Sequence, residues 1–287
     1  MFNVQSSKPK PGTRNPEQYA RKARAQGFTM VEAIVVIAIT GVVAAATASF
    51  IRAPIQGYVD AARRAELTDQ ADTALRRMTR DIRTALPNSI RVTSASGVAY
   101  LEYLQTSSGG RYRAEVDSGG AGNVLDFTSA DASFDVIGPM PAFAAGDSIV
   151  VYNLNSAPLI TTSNAYFGDN RAAYASATAS NITLAAAKLF PFSSPGKRFQ
   201  VVQYAVTYAC NPGTGELRRY WNYGITTAQP TPPVTANNAL LAQNVTSCSF
   251  TYNEVNQRTA ALALNLQLTE GGESVRLFQQ VHINNVP

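Results

Sequence analysis

Residues Phe28 to Ile51 form an apolar run of 24 residues with one charge, Glu32. As a helix rising 1.5 Å per residue, the run is about 36 Å long and reaches across a hydrocarbon core of about 30 Å. A buried core helix is the competing reading, but the length and the basic segment before it favour membrane insertion. That segment, residues 1–27, holds Lys8, Lys10, Arg14, Arg21, Lys22 and Arg24 against Glu17 alone. Six of the chain's 24 basic and one of its 19 acidic side chains therefore lie there, and the other 260 residues balance at 18 of each. The formal +5 of the chain belongs to this tail, so it gives no support for a nucleic-acid partner of the body. With Pro9, Pro11 and Pro16 and little apolar content, the tail is expected to be unstructured. The positive-inside rule keeps it in the cytoplasm and sends the remainder outward.

Three fates are open to such a segment. Ala46-Thr47-Ala48 offers a site for ordinary signal cleavage. The run could instead stay as a plain anchor, or be cut before the apolar stretch so that the helix remains with the mature protein. The run exceeds the 7–15 residues of a usual signal core. A carboxylate at membrane depth costs on the order of 2.5–3.5 kcal/mol, so Glu32 reads as functional.

Gly27-Phe28-Thr29-Met30-Val31-Glu32, with Arg21, Lys22 and Arg24 before it, resembles the processing signature of type IV pilins and type II secretion pseudopilins. The resemblance implies cleavage between Gly27 and Phe28 by prepilin peptidase and N-methylation of Phe28. Glu32 then falls at the fifth mature position, where the family places its glutamate. Met30 stands where leucine is more usual. Cleavage creates an amine at Phe28, and both it and the Glu32 carboxylate need partners in a bilayer. They lie one helical turn apart, so an intrachain pair is possible. The resemblance implies another arrangement, in which Glu32 of an incoming subunit faces the amine of a neighbour in the filament. Solvation of Glu32 by headgroups is the bland alternative.

Downstream, Pro54 and Gly57 are expected to kink or locally melt the helix. From Tyr58 a helical period resumes: Ala71, Leu75, Met78, Ile82 and Ala85 form one stripe, and Leu86 before Pro87 is the expected stop. The arginines off the stripe interleave with Glu66, Asp69, Asp72 and Asp81 and read as a solvated face. After residue 88 the pattern turns to strands, expected within 90–104, 147–154, 199–208, 217–223, 247–252, 259–268 and 274–283. Ser-Gly clusters at 107–110 and 118–122 are expected to interrupt them, and residues 161–182 to form a long loop or insertion. In the last hairpin Leu262, Leu264, Leu266 and Leu268 share one face.

The expected organisation is a leader at 1–27, a transmembrane or filament-core helix at 28–53, an amphipathic helix at 54–88 and a periplasmic β-rich head at 89–287. The fold class is α+β, with a long N-terminal helix packed on an antiparallel sheet. The layout is most similar to MshO-type minor pilins and J-type minor pseudopilins. The resemblance implies a minor subunit, initiating or at the tip, of a type IV pilus such as a mannose-sensitive haemagglutinin (MSHA-type) pilus; a body of 260 residues exceeds most major pilins. The alternatives are a type II secretion pseudopilin and an anchored periplasmic binding protein or adhesin that never polymerises. The implied partners are prepilin peptidase, other major and minor pilins, the inner-membrane assembly platform and membrane lipid, with no nucleic acid. The implied location is the bacterial inner membrane, single pass, then the pilus or pseudopilus.

Cys210 and Cys248 fall in the part expected outside the cytoplasm, where disulfides persist. Minor pilins often carry such a pair. A bridge, two free thiols and a metal pair all remain open on the sequence, although further metal ligands are missing. Catalytic constellations are absent: His282 is the only histidine, and no Gly-x-Ser-x-Gly, His-Glu-x-x-His, Walker or Cys-x-x-Cys pattern occurs. Asp131 and Asp135 lack an EF-hand frame. Tyr220, Trp221 and Tyr223 suit hairpin packing better than a carbohydrate platform. Two Asn-x-Thr triplets, at Asn181 and Asn244, are short enough to arise by chance. The expectation is a non-enzyme without cofactor.

Overall fold

The computed structural model describes residues 27–234, 237–256 and 259–287; the basic leader, including Arg21, Lys22 and Arg24, lies outside them. The chain divides into two units, one ending at Gln56 and one beginning at Gly57. Helix α1 (Met30–Ile82) supplies all the regular structure of the first unit and the opening of the second. The local melting expected as one outcome at Pro54 and Gly57 does not occur, since both lie inside α1. Together they cost on the order of 4 kcal/mol of helix propensity. Long alanine-rich turns on either side (Ala44 to Ala46, Ala61, Ala62, Ala65) favour the helix and carry it through.

In the first unit every described residue is exposed. In the second, the stripe is as expected and wider. Leu67, Ala71, Ala74, Leu75, Met78 and Ile82 are buried, and Ala85 is partly so. The helix ends four residues before the expected stop at Leu86. The chain is claimed there by a strand instead: Leu86 N–H donates to the Leu104 carbonyl at 2.8 Å and Thr106 N–H to the Thr84 carbonyl at 2.9 Å.

Twelve strands follow: β1 (Arg91–Ala95), β2 (Val98–Tyr112), β3 (Asp131–Ile137), β4 (Ser148–Val151), β5 (Arg171–Ala177), β6 (Asn181–Lys188), β7 (Arg198–Asn211), β8 (Glu216–Tyr223), β9 (Asn237–Ala242), β10 (Val245–Asn256), β11 (Thr259–Glu270) and β12 (Glu273–Asn284). All pair antiparallel. The α+β class read from the sequence is the observed one.

Two of the three cores described in the second unit organise its sheets. The first gathers the helix stripe, the β2 residues Leu101 and Tyr103, the β7 residues Val206 and Tyr208, and the leucine face of β11. Burial of each such side chain contributes about 1.5–3 kcal/mol. Strands β10, β11 and β12 form a separate sheet, with Leu262, Leu264, Leu266 and Leu268 all buried. The second core is a closure that strand patterns alone did not signal. Each of β2, β3, β6, β5, β4 and β7 pairs with the next, and β7 pairs back to β2. This six-stranded ring surrounds Phe134, Ile149, Ile182, Phe190 and Phe199.

Two expectations fail on the way to that ring. Ser107 to Gly110 do not interrupt β2 but lie within it. Gly109 and Gly110 serve close approach: an added Cβ would come within 2.8 Å of the Phe199 carbonyl oxygen or 2.7 Å of its ring. Residues 161–182 are not one long loop, since they hold β5 and the start of β6. The turn before β5 is tied down by side chains. Asp169 accepts the N–H groups of Ser163 and Asn164, and Asn153 accepts that of Ala165. Small Ala and Ser residues gave this segment no apolar period, although β5 and the start of β6 pair within the sheet.

Candidate processing and assembly site

Gly27, Phe28 and Thr29 precede α1 without helical structure. Among the described residues, no neighbouring atom lies within 4 Å of where a Cβ would stand on Gly27, and Phe28 is 79% exposed. The Gly27–Phe28 bond is therefore open to another protein. Thr29 caps the helix: its Oγ1 accepts the N–H of Glu32 at 3.2 Å, while its carbonyl accepts that of Ala33 at 3.1 Å. Thr29-x-x-Glu32 has capping-box spacing, a signal that sequence inspection could have used. A glutamate in the first turn also complements the helix dipole.

The Glu32 carboxylate has no hydrogen-bond or ion-pair partner among the described residues. Around it run Ile34, Val35, Ile37, Ile39, Val42 and Val43, all exposed. The helix is long and apolar enough to cross a membrane, with none of its apolar window buried. A charge and a continuous apolar surface, both uncovered, fit membrane anchoring and packing against other helices.

The other sequence candidates sit in the head. Cys210 and Cys248 form a disulfide with Cα atoms 6.4 Å apart. It joins β7 of the large sheet to β10 of the small one, beside the first core. His282 is exposed on β12. Trp221 and Tyr220 are half-buried, Tyr223 is buried, and the Arg219 guanidinium lies 4.9 Å from the Trp221 ring, so packing accounts for these aromatics. Asp131 accepts the N–H groups of Asp126 and Ser133, and Asp135 accepts the Asn123 N–H and the Asn181 side chain of β6. No group of three metal-ligating side chains occurs among the described residues.

Sequence reading missed two buried charge networks. Glu102, fully buried, pairs with Arg91 and accepts the Tyr223 hydroxyl at 2.8 Å. Burial outweighs these partners and raises its pKa above the ordinary carboxylate value. A lone charge within Val98 to Leu104 was the available signal. Asp81 accepts Arg219 at 2.9 Å and the Tyr208 hydroxyl at 2.8 Å, locking α1 to β7 and β8. In both networks carboxylate and arginine belong to this chain.

Comparison with known proteins yields one match. The prokaryotic N-terminal methylation motif fits residues 22–48. No curated protein and no solved structure matches the chain.

Proposed function

We propose, from the type IV pilin and pseudopilin superfamily that this motif supports, that the chain is a minor filament subunit, initiating or at the tip, of a type IV pilus such as an MSHA-type pilus. The carrying observation is Glu32, without a partner among the described residues, on an exposed apolar helix directly behind the exposed Gly27–Phe28 junction. Prepilin peptidase cuts there, and Phe28 becomes the methylated N-terminus. The head faces the periplasm until the assembly platform extracts the subunit. In the filament, the Glu32 carboxylate meets the Phe28 amine of a neighbour, which fixes the axial register between subunits. Two opposite charges in a medium of low dielectric attract strongly, and each left alone carries a large desolvation cost. The motif points to a structural subunit, not an enzyme.

Intact-mass and N-terminal analysis of the mature protein tests this. A methylated Phe28 start is expected; a start at Ser49, after Ala46-Thr47-Ala48, overturns it. Pilus and secretion pseudopilus are separated by locating the protein in sheared surface filaments, which the pilus reading requires.

A further inference from the structure

Strand β7 has two edges. One pairs with β2 along its length. The other is shared: β4 covers Phe199 to Val202, and β8 covers Ala205 to Asn211. Gln203 and Tyr204 lie in the gap between these two partners. Beside the gap, the β2 ladder on the opposite edge and the β8 ladder are both irregular. Gln203 is the extra residue where Tyr204 pairs with Gln105 and Val202 with Thr106. Asn222 is the extra residue where Tyr223 pairs with Ala205 and Trp221 with Val206, and it takes a left-handed φ of 59°. Such bulges re-aim side chains and recur beside binding sites.

The gap opens into a cavity of about 550 Å3, within the range of small-molecule sites. Its polar lining includes Ser148, Arg171, Gln203, Tyr204 and Asn222, with the buried ring of Tyr223 beside them. None of those five side chains has a hydrogen-bond or ion-pair partner among the described residues. Arg171 stands out most. The other partly or fully buried described arginines (Arg63, Arg91, Arg113, Arg218 and Arg219) all pair with carboxylates. Arg171 has none, and burial alone lowers its pKa, with no acidic neighbour offsetting the cost. Lys188, whose Nζ donates to the Gly168 carbonyl at 2.7 Å, adds a second positive charge near the same turn.

We infer that this cavity binds an acidic monosaccharide unit, a polyhydroxylated ring bearing one carboxylate. One unpaired guanidinium matches one carboxylate in bidentate geometry. The amides of Gln203 and Asn222 each donate and accept, as adjacent sugar hydroxyls require, and the hydroxyls of Ser148 and Tyr204 do the same. The inference uses only residues of the second unit and stands whether or not the chain enters a filament.

The test uses the full-length protein in a detergent without a sugar headgroup. Calorimetry and ligand-observed NMR compare glucuronate, N-acetylneuraminate, glucose, acetate and an acidic tripeptide. At least one sugar acid is expected to bind about tenfold or more tighter than both glucose and acetate. Arg171→Gln should erase that preference, Arg171→Lys should keep part of it, and Asn222→Ala should weaken acid and neutral sugar alike. Retention of the Cys210–Cys248 bond and of the thermal midpoint verifies that each variant folds; if Arg171→Gln fails this check, Arg171→Lys and Asn222→Ala carry the decision. Absence of any binding, equal binding of glucose, an unchanged preference in Arg171→Gln, or tighter binding of the tripeptide overturns the inference.

Discussion

Residues 30–56 and 57–82 belong to one helix and satisfy it in opposite ways. In the second stretch, Leu67, Leu75, Met78 and Ile82 are buried by strands of the same chain. In the first, Val35, Ile39 and Val43 are at least as apolar, and every residue is exposed. Two carboxylates repeat the contrast. Glu102 finds Arg91 and Tyr223 within the head, whereas Glu32 finds no partner among the described residues. An apolar surface without cover and a charge without a counter-charge are both demands on something outside the chain. Arg171 aside, the partly buried described arginines of the head find carboxylates within it, whereas the first stretch of the helix is left uncovered.

The largest expected effect separates these two requirements. Glu32→Ala should leave membrane insertion and the thermal midpoint of the head unchanged. Under the filament reading it should reduce incorporation by about tenfold or more, since an unpaired neighbouring amine is left in an apolar environment. Immunodetection in sheared filament and membrane fractions measures this. Unimpaired incorporation would sink the register argument, and a destabilised head would show that the two stretches are not separable.

Next in size is a change confined to the head. Cys248→Ser opens a loop of 38 residues and should lower stability by about 4 kcal/mol on the chain-entropy account. Urea unfolding with and without reductant tests it: the two curves should differ for the wild type and coincide for the variant. A wild type indifferent to reductant would show that the bridge contributes little.

The third prediction sets one helical position against another. Met78→Ala removes a wholly buried side chain and should cost the head about 2–5 kcal/mol. Ile39→Ala, at a residue 59% exposed, should cost the head nothing measurable in detergent. Equal losses would erase the distinction between the stretches.

How much of this was visible in the sequence depends on what carried the information. The apolar run, the lone glutamate, the helix stripe and the leucine face of β11 are periodic or compositional, and they were legible. Closure of the six-stranded ring was not. It depends on β7 pairing with β4 on one edge and with β2 on the other, and no local pattern encodes a long-range pairing. Ser107 to Gly110 misled because glycines usually mark turns; here they make room for Phe199. Asn153 and Asp169 do lie outside the strands, but no local pattern shows that their side chains accept backbone N–H groups 5 to 12 residues away. Arg171 was invisible for the same reason: what distinguishes it is the carboxylate that is not there.

The smallest effect tests whether the head is as self-sufficient as the buried pair suggests. Burial raises the Glu102 pKa above its ordinary value of 4.5, with Arg91 and Tyr223 offsetting only part of the cost. The folded protein thus holds this proton more tightly than the unfolded chain does. By linkage, the resulting stabilisation is fully present below pH 4.5 and is lost as pH rises through the folded value. Asp126, held down to about 2 chiefly by the Ser129 and Thr128 side chains, has the opposite sign and acts only below its ordinary value of 3.8. Above pH 4.5 the two effects do not overlap. Wild-type stability should therefore carry a downward contribution just above pH 4.5, with a slope of at most about 1.4 kcal/mol per pH unit. Glu102→Gln should remove that contribution, and Cys248→Ser should preserve it. Urea midpoints taken every half pH unit compare the slopes. Parallel wild-type and Glu102→Gln curves would mean that Arg91 and Tyr223 compensate the buried charge completely, and that the head meets its internal demand more fully than the burial of Glu102 implies.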